Sequence, residues 1–246
     1  VKAEHHFGYY AAFISFFPQL VAGPIERTEN LLPQINTACK FELDNLRKGA
    51  VLILWGLFTK MVIADRCAIF VDVVYGNCDT YPGFYILIAT FLFAIQIYCD
   101  FYGYSTIARG SALLFGIKLM DNFNAPYFSA SIKEFWRRWH ISLSTWFKDY
   151  VYIPLGGNRK GKPKQIINLL IVFGLSGLWH GAELSFIFWG LLNGTYQAVS
   201  IIFAPFINKV KQFINWQEKL PGKVVRILAT FALICFAWLF FRAGSL

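Results

Sequence analysis

The chain has 246 residues, of which 57% are hydrophobic, 19% aromatic and 15% charged. Soluble domains run at about 45–50% apolar and about 25% charged, so this composition excludes an ordinary soluble enzyme and points to a polytopic membrane protein. The net charge of +9 could suggest nucleic acid, but its location along the chain argues for membrane orientation, and no nucleic-acid partner is expected.

Phe7–Ile25 is uncharged but broken by Gly8, Pro18, Gly23 and Pro24. It reads as a kinked span or a re-entrant segment, tolerable only where protein covers the freed backbone groups. It lacks the basic lead-in and small-residue cleavage pattern of a signal peptide. Glu26–Lys48 is polar and mixed in charge. Gly49–Ala64 reads as a helix whose Lys60 snorkels towards an interface, and Asp65–Pro82, with three Asp and one Arg, as an outward-facing loop. Gly83–Cys99 is a clean apolar run that Asp100 closes, and a further segment, Gly103–Ile117, follows it.

Ile132–Val151 repeats apolar residues at three- and four-residue spacing, including Phe135, Trp136, Trp139, Leu143 and Phe147. Lys133, Arg137, His140, Ser144 and Lys148 fall on the opposite stripe. The pattern predicts a cationic amphipathic helix near 131–151, lying in the cytoplasmic interface against membrane lipid. Most of its residues suit a surface anchor. Arg137, Arg138 and Lys148 also suit attraction of an anionic substrate such as a nucleotide-bearing thioester. Pro154–Gly161 breaks the helix with turn residues; its glycines and bases would suit phosphate, though without P-loop spacing.

Gln165–Ala182 runs 18 residues without a formal charge, long enough for a transmembrane helix. It carries one titratable group, His180. An ionisable side chain in such a segment marks a functional site by default; the alternative is a helix-end histidine bonded to a nearby carbonyl. Gly174, Gly177 and Gly181, with Gly190 and Gly194 in the next span, serve either close helix approach or room for a substrate. Leu184–Ile207 is 24 uncharged residues, the strongest spanning signal, and Ile227–Phe241 is a shorter one.

Lys133–Lys164 holds eight Lys/Arg against two acids, and Lys209–Arg226 five against Glu218. Two spans separate these stretches, so both sit in the cytoplasm under the positive-inside rule. His180 then lies roughly 22 Å along the helix from Gln165, nearer the outer face.

The five cysteines (Cys39, Cys67, Cys78, Cys99, Cys235) are scattered without a CxxC, which gives no disulfide framework and no metal site. With no domain split or repeat, the whole of 1–246 reads as one transmembrane domain. Its first residue, Val1, and its ending at Gly244-Ser245-Leu246 suggest part of a longer protein with helices missing at both ends.

The strings SFFPQLVAGPIER (15–27), QIYCDFYGYSTIARG (96–110), FNAPYFSASIKEFWRRWHISLSTWFKDYVYIPLGGNRKG (123–161) and LSGLWHG (175–181) resemble the membrane-bound O-acyltransferase family. The resemblance is closest to its bacterial branch acting on alginate and peptidoglycan, and less close to the D-alanyl transfer proteins of teichoic acid modification. It implies an all-α, multi-pass fold around a tunnel in the cytoplasmic (inner) membrane, with His180 at its centre and His140 at the family's second polar position. Ser176 and Trp179 are candidate tunnel-wall residues.

The implied reaction moves an acetyl group from a cytoplasmic thioester, acetyl-CoA, to an extracytoplasmic polysaccharide hydroxyl or carrier protein. Partner acetyltransferases are expected, and no tightly bound cofactor. An imidazole suits the role of base for the hydroxyl proton because desolvation disfavours its charged form. Glu183 orients the ring if the helix continues past Gly181. A transporter or flippase, with Asp100 coupling an ion, and a non-catalytic scaffold are the competing classes.

Overall fold

The computed structural model describes residues 4–37, 42–213 and 220–243. Cys39, Glu218 and the closing 244–246 lie outside them. Every regular element among the described residues is helical. The chain forms two compact units, one running up to Phe123 and one from Asn124.

The first unit opens with α1 (Phe7–Ile14), whose N-cap His6 accepts the Tyr9 N–H through Nδ1 at 3.3 Å. At eight residues it is about 12 Å long, too short to cross a bilayer as a helix. A 3₁₀ turn at Phe17–Gln19 follows, then a bend so tight that a Cβ on Gly23 would sit 1.8 Å from the Pro18 carbonyl oxygen. Helix α2 (Thr28–Ile35) anchors the extended segment after Leu114: Gln34 donates to Lys118 O at 3.1 Å and accepts the Lys118 N–H at 2.8 Å. The buried Glu26 carboxylate accepts from Asn30 and from the Met120 N–H.

Two expectations change here. Helix α3 (Leu43–Leu57) runs through a π-helical stretch, Phe58–Ala64, directly into α4 (Asp65–Tyr75). The acidic segment from Asp65 is therefore mostly helix, and only the residues from Gly76 to Pro82 connect. Likewise Gly83–Leu114 is one 32-residue helix, α5, where the hydropathy pattern suggested two segments parted at Asp100. The Lys60 Nζ bridges Asp65 at 2.6 Å and Asp100 at 2.7 Å, so these charges pair with one another along continuous helices instead of ending them.

Helices α3 and α5 meet along paired glycines. A Cβ on Gly56 would lie 2.6 Å from Gly103 O, and one on Gly49 2.8 Å from Gly110 O. Lipid offers no hydrophobic drive between helices, so such close backbone approach is what holds them.

The second unit contains α6 (Ile132–Arg138), α7 (Ile141–Phe147) with a π-helical end at Lys148–Tyr152, α8 (Gly161–His180), α9 (Leu184–Phe213) and α10 (Leu220–Arg242). Helices α8 and α9 pack through small residues: a Cβ on Gly177 would meet Phe186 O at 2.2 Å, and one on Gly190 would meet Phe173 O at 2.2 Å. Close approach is thus the role of these glycines. Aromatic rings join α9 to α10, with Trp189 stacked on Trp238 at 5.7 Å and Phe188 tilted against Phe240 at 4.6 Å.

By length and composition α5, α9 and α10 can each cross a membrane. Helix α10 extends the expected 227–241 segment towards its N-terminus. Helix α8 stops at His180 and does not reach Ala182, so its uncharged part is about 24 Å long.

Candidate active site

The stretch expected as one amphipathic helix near 131–151 is broken in the middle, and the break forms the site. Helix α6 is capped by Ser131, whose Oγ accepts the Glu134 N–H at 3.2 Å, while the Glu134 carboxylate accepts the N–H of Ala130, just before the cap, at 2.9 Å. That N–H, followed by the nearby Arg138 guanidinium, holds the Glu134 carboxyl below its usual range. Arg138 binds Glu134 at 2.7 Å and donates to Asn124 O at 3.4 Å.

Helix α6 ends where Trp139 turns extended and His140 takes φ 42°, ψ 55°. A left-handed conformation is uncommon for a residue with a side chain and costs energy that the surroundings must offset. The His140 carbonyl then accepts the Ser144 N–H at 2.9 Å and starts α7. The turn takes His140 off the exposed polar stripe and buries it, at 5% exposure. Burial first, and the neighbouring His180 second, push its imidazole down to about 3.

His180 ends α8, where Gly181 turns to extended backbone. The helix does not continue to Glu183, so that carboxylate does not stand one turn above the ring. Aromatic rings surround the imidazole instead: Trp179 at 4.9 Å, Trp189 at 5.2 Å and Phe241 at 5.3 Å. Behind them Trp136 donates Nε1–H to Asn193 Oδ1 at 3.2 Å and meets Trp189 edge to face at 5.8 Å.

His140 and His180 line one cavity of about 700 Å³, within the range of small-molecule sites. Gln165, Leu169, Val172, Ser176 and His180 form one face of α8 along it, a path of roughly 22 Å. Lys133, Arg137, Lys148 and Arg159 contribute cations to the lining, and no acid is among the described residues that line it. Of the residues singled out from the sequence, the cavity gathers His180, His140, Ser176, Arg137 and Lys148. Arg138 is committed to its ion pair, and Trp179, 57% exposed, touches both histidine rings from outside the lining.

Lys133 and Arg159 also line the cavity; the sequence places Lys133 on a stripe with Arg137 and Arg159 in the glycine-basic loop, without marking either as a site residue. The loop lines the cavity through Gly156–Arg159 and has positive φ at Gly156 and Gly157.

The family model for membrane-bound O-acyltransferases matches residues 2–241. The chain belongs to this family. It is 41% identical to the peptidoglycan O-acetyltransferase of Helicobacter pylori over 98% of its own length and 45% of that protein's. Against the probable alginate O-acetylase AlgI of Pseudomonas aeruginosa it is 39% identical, over 99% and 45%. The teichoic acid D-alanyltransferase of Bacillus subtilis is more distant, at 31% identity over 93% and 60%. The chain thus spans less than half the length of the first two relatives. As a membrane-bound O-acyltransferase family member it is a helical membrane protein, in line with the three helices among the described residues that are long and apolar enough to span a membrane.

Proposed function

We propose that the chain carries the transfer site of an O-acyltransferase that moves a short acyl group, acetyl, from a cytoplasmic thioester to an extracytoplasmic hydroxyl. One observation carries this reading: two buried or half-buried histidines share a cavity whose other charged lining is wholly cationic. His180 accepts the hydroxyl proton as the acceptor oxygen attacks the thioester carbonyl. The C–S bond then breaks, the new ester leaves with the acceptor, and the thiolate takes up a proton. General-base help of this kind contributes about 10²–10⁴-fold, or roughly 3–5 kcal/mol of barrier.

Arg137, Lys148, Lys133 and Arg159 attract the anionic donor, acetyl-CoA in this reading, from the cytoplasmic side, where the basic 133–164 stretch lies under the positive-inside rule. His140, buried beside Trp179, supports the reacting end. The acceptor is an envelope polysaccharide or a carrier protein reached through a partner acetyltransferase, with the protein in the inner membrane. The names of the peptidoglycan and alginate relatives support acetyl, and that of the teichoic acid relative keeps D-alanyl as the second reading.

The test uses His180→Ala in the full-length protein. Labelled acetyl no longer appears on the acceptor, while expression and membrane insertion stay normal. Unchanged turnover in that variant removes the proposal. Label that crosses the bilayer without becoming covalently attached would favour a transporter.

A further inference from the structure

The cavity has two ends, and α8 connects them. At the far end from His180 lies the loop from Pro154 to Lys160, whose only charged group lining the cavity is Arg159. This loop has two residues with positive φ, Gly156 at 102° and Gly157 at 56°. Its internal hydrogen bonds are short-range: Gly156 N–H to Ile153 O, Gly157 N–H to Tyr152 O and Arg159 N–H to Gly156 O. Such a loop of glycines, with Arg159 exposed near its end, needs a tether if the guanidinium is to stay in one place.

Asn168 supplies one. It is 0% exposed and lies on the first half of α8. Its Nδ2 donates to Gly157 O at 2.9 Å and to Leu155 O at 3.3 Å, so one amide grips the loop on both sides of Gly156. The two carbonyl acceptors fix which way the amide faces, since its own oxygen in their place would oppose them. That oxygen, Oδ1, is buried and has no partner among the described residues. A buried acceptor left without a bond is a cost to folding, so a residue kept only for packing would better be apolar.

We propose that Asn168 is a positioning residue: by clasping the glycine loop it holds Arg159 at the cavity rim, where the guanidinium binds a phosphate of the thioester donor. The inference rests on the acyl-thioester reading above and adds the part of the donor that is recognised. From Asn168 to His180 is twelve residues of helix, about 18 Å. The ligand class is therefore a thioester whose phosphate lies a long flexible arm away from its acyl carbon. Arg159 reads the phosphate, His180 meets the acyl group, and Asn168 touches neither.

The experiment compares two acetyl thioesters in the full-length protein in membranes: acetyl-CoA, and acetyl-pantetheine, which has the same thioester arm without phosphate. Arg159→Ala raises KM for acetyl-CoA about tenfold, the size of one charge-assisted hydrogen bond, with kcat nearly kept. Asn168→Ala raises it in the same direction by a smaller factor. Neither substitution moves KM for acetyl-pantetheine, and Asn168→Ala adds nothing in the Arg159→Ala background. Asn168→Ser, which keeps one donor for the Gly157 carbonyl, recovers part of the loss and serves if the alanine variant does not fold.

Equilibrium binding of coenzyme A and of pantetheine, which needs no turnover, is read alongside. Tighter binding of coenzyme A that Arg159→Ala and Asn168→Ala both weaken supports the assignment. Equal effects on both thioesters, additive effects of the two substitutions, or no preference for coenzyme A in the unsubstituted protein each overturn it, even where His180→Ala still abolishes transfer. Transfer that survives His180→Ala instead sinks the catalytic reading, and the binding comparison still decides the role of Asn168.

Discussion

The imidazole of His140 stands 6.4 Å from the indole of Trp179, edge to face, and this contact ties the break between α6 and α7 to the end of α8. Trp179 also lies 4.9 Å from its neighbour His180, so one ring spaces both histidines without lining the cavity they share. A reacting group displaced by about 1 Å can cost on the order of 10²-fold in rate. Trp179→Ala is expected to lower kcat by about tenfold or more while leaving donor KM within about twofold, and Trp179→Phe to restore most of the loss. Steady-state kinetics on the three forms checks this; a rise in KM alone would mean that Trp179 is part of the donor site.

Arg137 and Arg138 are adjacent in sequence and are expected to behave differently. Arg137 lines the cavity, whereas Arg138 bonds Glu134 and Asn124 O and so ties α6 to the segment before it. Arg137→Ala should raise donor KM several-fold at little cost to stability. Arg138→Ala should lower the unfolding temperature, by the equivalent of about 1–2 kcal/mol, with KM unchanged in the fraction that folds. Thermal unfolding in detergent, measured beside KM for each variant, distinguishes the two roles.

The difference between those arginines shows where sequence reading succeeded and where it stopped. Long apolar runs gave α5, α9 and α10 directly, because a window average senses burial in lipid. The same average split α5 at Asp100, since it does not see that Lys60 on another helix neutralises the charge. The 3.6-residue period over 132–151 put Phe135, Trp139, Leu143 and Phe147 on the buried face, but it also put the exposed Trp146 and Tyr150 there and placed His140 on the wrong side. No proline or glycine marks the Trp139–His140 turn, and a left-handed residue there shifts the register of everything after it. His180 was legible as a candidate, because a lone ionisable group in an apolar run stands out, and the structure puts it on the cavity. Asn168 was not, because its partners are backbone carbonyls of a loop.

Burial of His140 gives the folded state a pH dependence. Below about pH 6.5 the unfolded chain protonates this histidine, while the folded one resists until about 3. The unfolded state then binds the extra proton, so stability is complete above pH 6.5 and falls as the pH drops through that window. From pH 7 to pH 5 the loss amounts to about 2 kcal/mol from this group. His140→Asn, whose side chain tolerates the left-handed conformation, is expected to flatten the dependence by that amount. Denaturation midpoints at the two pH values test it, and equal slopes in both forms would show that His140 is not held neutral.

Two glycines on α8 separate close helix packing from mere composition. A Cβ on Gly177 would lie 2.2 Å from the Phe186 carbonyl oxygen and 2.9 Å from its carbon, which are backbone atoms of α9 that cannot turn aside. A Cβ on Gly174 would meet only the Leu191 side chain, at 3.4 Å, an ordinary contact. Gly177→Ala must therefore push α8 and α9 apart, at a cost of about 1–3 kcal/mol. Because His180 lies three residues further along α8 and packs on Trp189 of α9, the same shift moves the imidazole and lowers kcat. Gly174→Ala, which replaces a poor helix former with the best one, should be neutral or stabilising by up to about 1 kcal/mol. Unfolding temperature and acetyl transfer measured on both variants check the pair. If Gly177→Ala is as well tolerated as Gly174→Ala, the two helices are not held by backbone contact and His180 does not owe its position to it.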